Sequence, residues 1–557
     1  MEERPTFLQK VKRYLSERRR IFYYAIIVML ISTLPYLLGY FTQGSGWRFT
    51  GFVFGVEDGN SYIAKMLGGA EGAWLFRTPY TASPQKGVLA FLPYLLLGKL
   101  TSPPGQHEQL VVLFHLFRIV AGVLAILATY DFLSLFIKHT RWRWWSLVLI
   151  TLGGGLGWIL IIIGQQNWLG SMPLEFYSPE SFGFLELFGL PHLALGRALL
   201  MWGMLFILRP FKQEGIWDKG GLIAGVLWLL LGLMQPLTVV LAWTVIGVFL
   251  TLLIVRHLYF ISRGQVPDKQ TWKSYLWRVI ISIIISCPIV IYTFLAFNSD
   301  AYLKGWTAQN VILSPHPLHY LLAYGLLLPF ATLGIYGVFT KGEIQGHLLA
   351  GWLILFPFLI YIPYNLQRRL AEGVWVVFVI LSVKSVEVWQ ESRLNIRRTR
   401  LFKSAAVLLF PSTMLLFMGG LLAAGQPREP LFLPNDVVKV FLSLRQHADP
   451  GAVVLSSFDI GNALPAWAPF RVVIGHGPES VGLSELSQQV TAFYDHNSPD
   501  SERLGLISDL NIRYVFWGPN ERSLAIQVNH QSWDPHQAYY LREINRSGDY
   551  TVFEVIQ

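Results

Sequence analysis

The 557-residue chain has a single cysteine, Cys287, and it lies inside a long apolar run. No intramolecular disulfide can form, so any part facing an oxidising compartment must fold without one. Charge is also scarce: Asp, Glu, Lys and Arg make up 14% of the chain, against about 25% in ordinary soluble domains. That deficit, with 53% hydrophobic residues gathered into long runs, excludes a soluble protein as well as disorder, collagen and coiled coil. The chain lacks an internal repeat, an HExxH motif and a phosphate-cradling glycine loop. A tightly bound zinc and a nucleotide site therefore have no sequence support. The net charge of +10 does not point to nucleic acid, because Lys and Arg cluster at the ends of apolar runs, where a membrane topology signal places them.

Those runs are the main feature present. Lys10, Lys12, Arg13, Arg18, Arg19 and Arg20 precede the first, Ile21–Phe41, which puts the N-terminus in the cytoplasm. Gln109–Ile137, Trp144–Ile163, Pro191–Leu208, Gly220–Gln235, Pro236–Phe260, Tyr275–Phe297, Leu318–Thr340, His347–Pro363, Gly373–Trp389 and Ser404–Ala424 bring the total to eleven. Gly87–Leu100 is too short to cross and reads as an interfacial helix. The basic loops His139–Arg143, Arg209–Lys219, Arg256–Lys273, Lys341 and Gln390–Lys403 then share the cytoplasmic side.

The expected fold is a polytopic α-helical membrane protein of about eleven spans, N-terminus in and C-terminus out. Residues 1–20 form the basic N-terminus and 21–424 the transmembrane domain. The first external loop, 42–109, carries interfacial helices, and the second covers 164–190. From Gly425 onward polar residues and strand-length runs take over, so 425–557 reads as an extracytoplasmic α/β domain. Its expected strands are Ala452–Ser456, Arg471–Gly475, Ile512–Trp517 and Tyr550–Ile556; its expected helices are Val437–Gln446, Leu483–Tyr494 and Ser501–Asp509.

Residues that break membrane rules are the candidates for chemistry. Glu57 and Asp58 follow the first span, where a carboxylate serves as general base on an acceptor hydroxyl or helps hold a divalent cation. The ordinary alternative is that Asp58 caps a helix over Tyr62–Leu75. Lys65, Arg77 and Lys86 add cations on the external side, with surface solvation as their ordinary role. The second loop offers Glu175, Glu180 and Glu186 and leads into His192; acids from two external loops suit a paired-carboxylate or metal site. Gln367, Arg368 and Arg369 lie against the positive-inside bias, and paired guanidinium forks suit a phosphate; lipid headgroups or Glu372 are the competing partners. Arg118 and Arg197 fall within spans, where an arginine marks either a site or a structural ion pair.

This order of parts, with Glu57-Asp58 opening the first loop and Arg118 on the second span, resembles the GT-C superfamily of integral-membrane glycosyltransferases. Protein O-mannosyltransferases and aminoarabinose transferases belong to that group. The stretches Phe458–Trp467, Gly475–Glu479 and Tyr514–Pro519 are similar to the tails of bacterial members with this architecture. The resemblance implies inverting transfer of a sugar from a polyprenyl-phosphate donor to a lipid, glycan or protein acceptor on the outer face of the cell membrane. Asp58 would be the base, Glu57 the reserve, and Glu180 a second acid. Arg368 and Arg369 would stabilise the leaving phosphate, with Gln367, His192, Arg118 and Lys86 as further substrate contacts. No cofactor is assigned. If a divalent cation such as Mg or Mn is required, Asp58, Glu180 and His192 are its candidate ligands; the second loop lacks a compact Asp-x-Asp. The alternatives are a transporter or lipid flippase, or a non-catalytic membrane scaffold.

Overall fold

The computed structural model describes residues 7–209, 218–265, 269–389, 395–529 and 533–556; parts of the expected basic loops, 210–217, 266–268 and 390–394, lie outside them. The chain is mostly helical and divides into two compact units: Met1–Thr33, Phe117–Tyr292 and Ile312–Gly419 form one, and Leu34–Leu116, Thr293–Val311 and Gly420–Gln557 the other.

Among the described residues six helices are long and apolar enough to cross a membrane, or seven if a pair bent by 79° is one span. Several of the eleven expected runs are interrupted. Trp144–Ile163 breaks into helices Thr140–Leu152 and Trp158–Ile162. The cause is close packing against a later stretch of chain: a Cβ on Gly155 would lie 2.9 Å from Glu175 Oε1, and one on Gly157 would lie 2.2 Å from Pro173 Cβ. The chain passes too close to these groups for side chains, and the glycines that permit the approach end the helix. Leu318–Thr340 bends between Pro317–Tyr324 and Leu328–Lys341. Lys219–Gly232 and Gly346–Leu359 are apolar helices of 14 residues each, about 21 Å long at 1.5 Å per residue. The first is capped by Asp218, whose carboxylate accepts from the amides of Gly220 and Gly221 at 2.8 and 3.2 Å. Pro236 opens the helix Pro236–Ser262, where its missing N–H costs nothing.

Among the described residues, the unit containing the C-terminal stretch holds seven strands: β1 (Trp47–Phe49), β2 (Phe432–Pro434), β3 (Val453–Leu455), β4 (Arg471–Val472), β5 (Ile512–Trp517), β6 (Leu541–Ser547) and β7 (Tyr550–Val555). β1 and β2 pair antiparallel, tying the start of the first loop to the segment that opens the C-terminal stretch. The other five form a sheet in the order β4-β3-β5-β7-β6. β3 runs parallel to both β4 and β5, and the hairpin β6–β7 adds antiparallel strands at the far edge. Val453, Val454, Leu455, Val515 and Phe516 are buried, as strands covered on both faces must be. Gly87–Leu100 contains one seven-residue helix, Leu92–Gly98, too short to span.

Candidate functional site

The first-loop acids sit on a helix that starts earlier than the sequence pattern suggests. It runs Val56–Ala70, with Gly55 at its N-cap in the left-handed conformation (φ 58°). Asp58 is therefore not the cap; Glu57 and Asp58 occupy the first turn, where the helix dipole favours negative charge. Their partners come from the segment Gly475–Gly482 of the same unit. Glu57 Oε1 accepts from the Gly477 amide at 2.7 Å, and Asp58 Oδ1 lies 3.2 Å from His476 Nε2. The Asp58 side chain is 55% exposed while that of His476 is 6% exposed, so the carboxylate stands at the open end of this contact.

Behind His476 the network closes. Its Nδ1 lies 3.6 Å from Glu479 Oε1, which also pairs with Lys65 Nζ at 2.6 Å and accepts from the Ser61 hydroxyl at 2.9 Å. The Thr78 hydroxyl donates to the other Glu479 oxygen. Burial alone would raise the Glu479 carboxyl, but the Lys65 ammonium, His476 and these donors hold it below its ordinary range. The segment is held from several sides: Gln309 Nε2 donates to the carbonyls of Gly477 and Ser480 at 2.7 and 2.8 Å, and the Ser480 hydroxyl donates to the Tyr80 carbonyl at 3.0 Å. Lys65 is buried, not solvated. The sequence flagged it only as an external cation, and His476 and Glu479 only as part of a resemblance. Lys86 is exposed, and its amide donates to Asp300 Oδ2 at 3.2 Å.

The second cluster belongs to the other unit. Glu175, Glu180 and Glu186, in the stretch 164–190, are all buried. Glu186 and Glu372 both pair with Arg197, at 2.8 and 2.7 Å, so Glu372 is committed to Arg197 and not to the Arg368-Arg369 pair. Burial, together with the charges of Glu372 and Glu180, pushes the Glu186 carboxyl above its ordinary range despite Arg197. Glu180 lies 3.7 Å from Arg369 Nε, whose side chain is 44% exposed. The Arg368 guanidinium lies 4.5 Å from the centre of the Tyr177 ring, and its Nε is buried without a hydrogen-bond partner. Gln367, with its amide oriented to satisfy both neighbours, donates to the Ile362 carbonyl at 2.6 Å and accepts from the Ser314 amide at 3.1 Å. Glu175 accepts from the Gly157 amide at 2.6 Å and Ser412 at 3.0 Å, which fixes the glycine break. The His192 carbonyl accepts from Gln235 at 2.7 Å.

Arg118 lies inside the helical body. It is fully buried, and it donates to the Ser32 hydroxyl at 2.9 Å, the Thr33 hydroxyl at 2.6 Å and the Leu187 carbonyl at 3.1 Å. A guanidinium so enclosed braces three segments of chain and offers no surface to a substrate. Among the described residues no group of three or more His, Cys, Asp or Glu side chains is arranged to hold a metal ion.

No protein-family model matches the chain, and no curated protein matches it. Solved structures do. The apo oligosaccharyltransferase of Archaeoglobus fulgidus is 14% identical with a TM-score of 0.53, over 94% of this chain and 73% of its own. The oligosaccharyltransferase AglB from the same organism, in complex with an inhibitory peptide and a dolichol-phosphate, is 14% identical with a TM-score of 0.51, over 89% of this chain and 69% of its own. The arabinofuranosyltransferase AftD from Mycobacteria is 13% identical with a TM-score of 0.53, over 95% of this chain but 40% of its own. The chain thus has the fold of the GT-C integral-membrane glycosyltransferases.

Proposed function

We infer that this protein is a membrane glycosyltransferase that moves a sugar from a polyprenyl-phosphate-linked donor to an acceptor hydroxyl on the extracytoplasmic face, with inversion at the anomeric carbon. The observation that carries this reading is the likeness over nearly the whole chain to enzymes of this class, one of them solved with dolichol-phosphate. In support, a first-loop carboxylate stands exposed on a rigid helix, as a base that must meet a substrate should. The acceptor oxygen attacks the anomeric carbon and gives its proton to Asp58, while the bond from that carbon to the phosphate oxygen breaks and the lipid phosphate leaves with the electron pair. Arg368 and Arg369 stabilise its growing charge through charge-assisted hydrogen bonds. Glu57, held by the Gly477 amide, fixes the first turn of the helix and with it Asp58. No step is routed through a metal ion.

The eleven-span arrangement, with the N-terminus in the cytoplasm and residues 425–557 outside, belongs to this reading and puts the first loop beside the outer leaflet. Purified protein in proteoliposomes with a radiolabelled polyprenyl-phosphate hexose should release lipid phosphate and form labelled acceptor. Arg368→Ala should weaken donor binding about tenfold, the usual scale for one charge-assisted contact. Movement of the lipid across the bilayer without bond making would replace this reading with a flippase. Unchanged donor affinity and turnover in Arg368→Ala would remove the phosphate role.

A further inference from the structure

A cavity of about 510 Å³ opens beside the C-terminal half of the helix Val56–Ala70. The helix supplies Ala64, Leu67 and Gly68; the hairpin after it and the turns around Pro450 and Pro469 supply the other walls. Several features make it a formed cleft. The hairpin is closed by the Phe76–Val88 bridge, by Gln85 accepting from the Thr78 amide at 2.9 Å and by Gln85 donating to the Thr78 carbonyl at 2.7 Å. The Pro79 carbonyl accepts from the Val472 amide at 2.8 Å, and the Pro469 carbonyl from the Gly451 amide at 2.7 Å. Proline walls with such anchors change little on binding, which lowers the ordering cost of a ligand.

The cavity's charge is one-sided. Arg471 and Arg77 line it. The Arg471 fork is fixed by donating to the Gly451 carbonyl at 3.0 Å and the Ala82 carbonyl at 3.2 Å. Neither arginine is paired with a carboxylate among the described residues. The one acid in the lining, Glu71, is held at 3.0 Å by Arg445, so it does not neutralise them. Lys65 and Thr78 form a shared wall: they line the cavity and also bind Glu479, behind His476 and Asp58. Along the helix, Asp58 and Ala64 are six residues apart, about 9 Å at 1.5 Å per residue.

We propose that this cavity is an acceptor subsite for an oxyanion-bearing saccharide, its carboxylate or phosphate group held by Arg471 and Arg77. The fixed Arg471 fork suits a planar carboxylate or a phosphate, whose charge-assisted bonds supply the specificity. The proposal rests on the glycosyltransferase reading, but its test does not use transfer. Full-length protein in lipid nanodiscs is titrated with trigalacturonate, with a glucose 6-phosphate disaccharide and with neutral maltotriose. One or both anionic probes should bind at least about tenfold more tightly than the neutral one, and the preference should shrink with added salt. Arg77→Ala and Arg471→Lys should each reduce anion binding severalfold, Arg77→Ala with the melting temperature unchanged; among the described residues the Arg77 side chain makes no hydrogen bond, which guards against a variant that fails to fold. Asp58→Asn should leave binding intact. Equal binding of neutral and anionic probes, or anion binding unaffected by both arginine variants, overturns the subsite. Loss of transfer in Asp58→Asn alongside such a result would leave the glycosyltransferase reading standing.

Discussion

In the unit that includes Gly420–Gln557, a buried carboxylate, Glu479, faces Lys65 at 2.6 Å and His476 at 3.6 Å. In the unit that includes Phe117–Tyr292, a buried guanidinium, Arg197, faces Glu186 at 2.8 Å and Glu372 at 2.7 Å. The first arrangement has cation and donors enough for one acid, so Glu479 keeps its charge, and the chain of contacts runs outward to an exposed carboxylate, Asp58. The second has more acid than cation, and burial favours a proton on Glu186. A balanced network with one end open to solvent suits a group that must meet a substrate; an enclosed cluster with surplus acid suits a brace. The two ion clusters therefore call for different tests.

Arg197→Ala should have the largest structural effect. It leaves two carboxylates buried without their cation, a loss at the upper end of about 3–5 kcal/mol for a broken buried pair, read as a fall in melting temperature in detergent. Lys65→Met comes next, because it strands only Glu479; adding Glu479→Gln should recover part of the loss, and a double variant no better than the single would break the comparison.

The smallest effects are in the pH profile, and they have opposite signs. Glu479 is held below its ordinary value, so its stabilisation is present above the unfolded carboxylate pKa of about 4.3 and lost as pH falls through the lower folded value. Glu186 is pushed up, so the folded chain keeps its proton longer, and stability falls as pH rises from that unfolded value through the raised folded one. Glu186→Gln should flatten the alkaline side of a melting-temperature profile and leave the acid side alone. Glu479→Gln should do the reverse. Matching slopes in both variants would show that the two clusters are balanced alike.

The sequence made the membrane character legible through composition, and Ile512–Trp517 and Leu483–Tyr494 through their periodicity. Helix interruptions were less legible, because they depend on distant partners: the glycine break after Leu152 exists to let the chain pass Glu175. The helix Phe458–Trp467 contains Gly461 and Pro465, which argue against a helix locally; a Cβ on Gly461 would lie 2.0 Å from the Ile474 carbonyl oxygen, so packing sets that residue. The early start of the helix Val56–Ala70 was hidden because Gly55, not a side-chain cap, begins it. At the candidate site, Glu57-Asp58 stood out by charge, whereas Lys65 stands 414 positions from Glu479, a pair that only the fold brings together. Their one local signal was Lys65, a lysine two helical turns after Asp58 in an otherwise apolar and small-residue stretch.

The most direct measurement is single-turnover sugar transfer by Asp58→Asn beside the unaltered protein, with donor binding and melting temperature measured on the same samples. A general base contributes about 100-fold to 10,000-fold, so the rate should fall by at least about 100-fold while binding and stability hold. Transfer at the unaltered rate would contradict the account, because the exposed carboxylate at the head of the balanced network would then have no part in the chemistry.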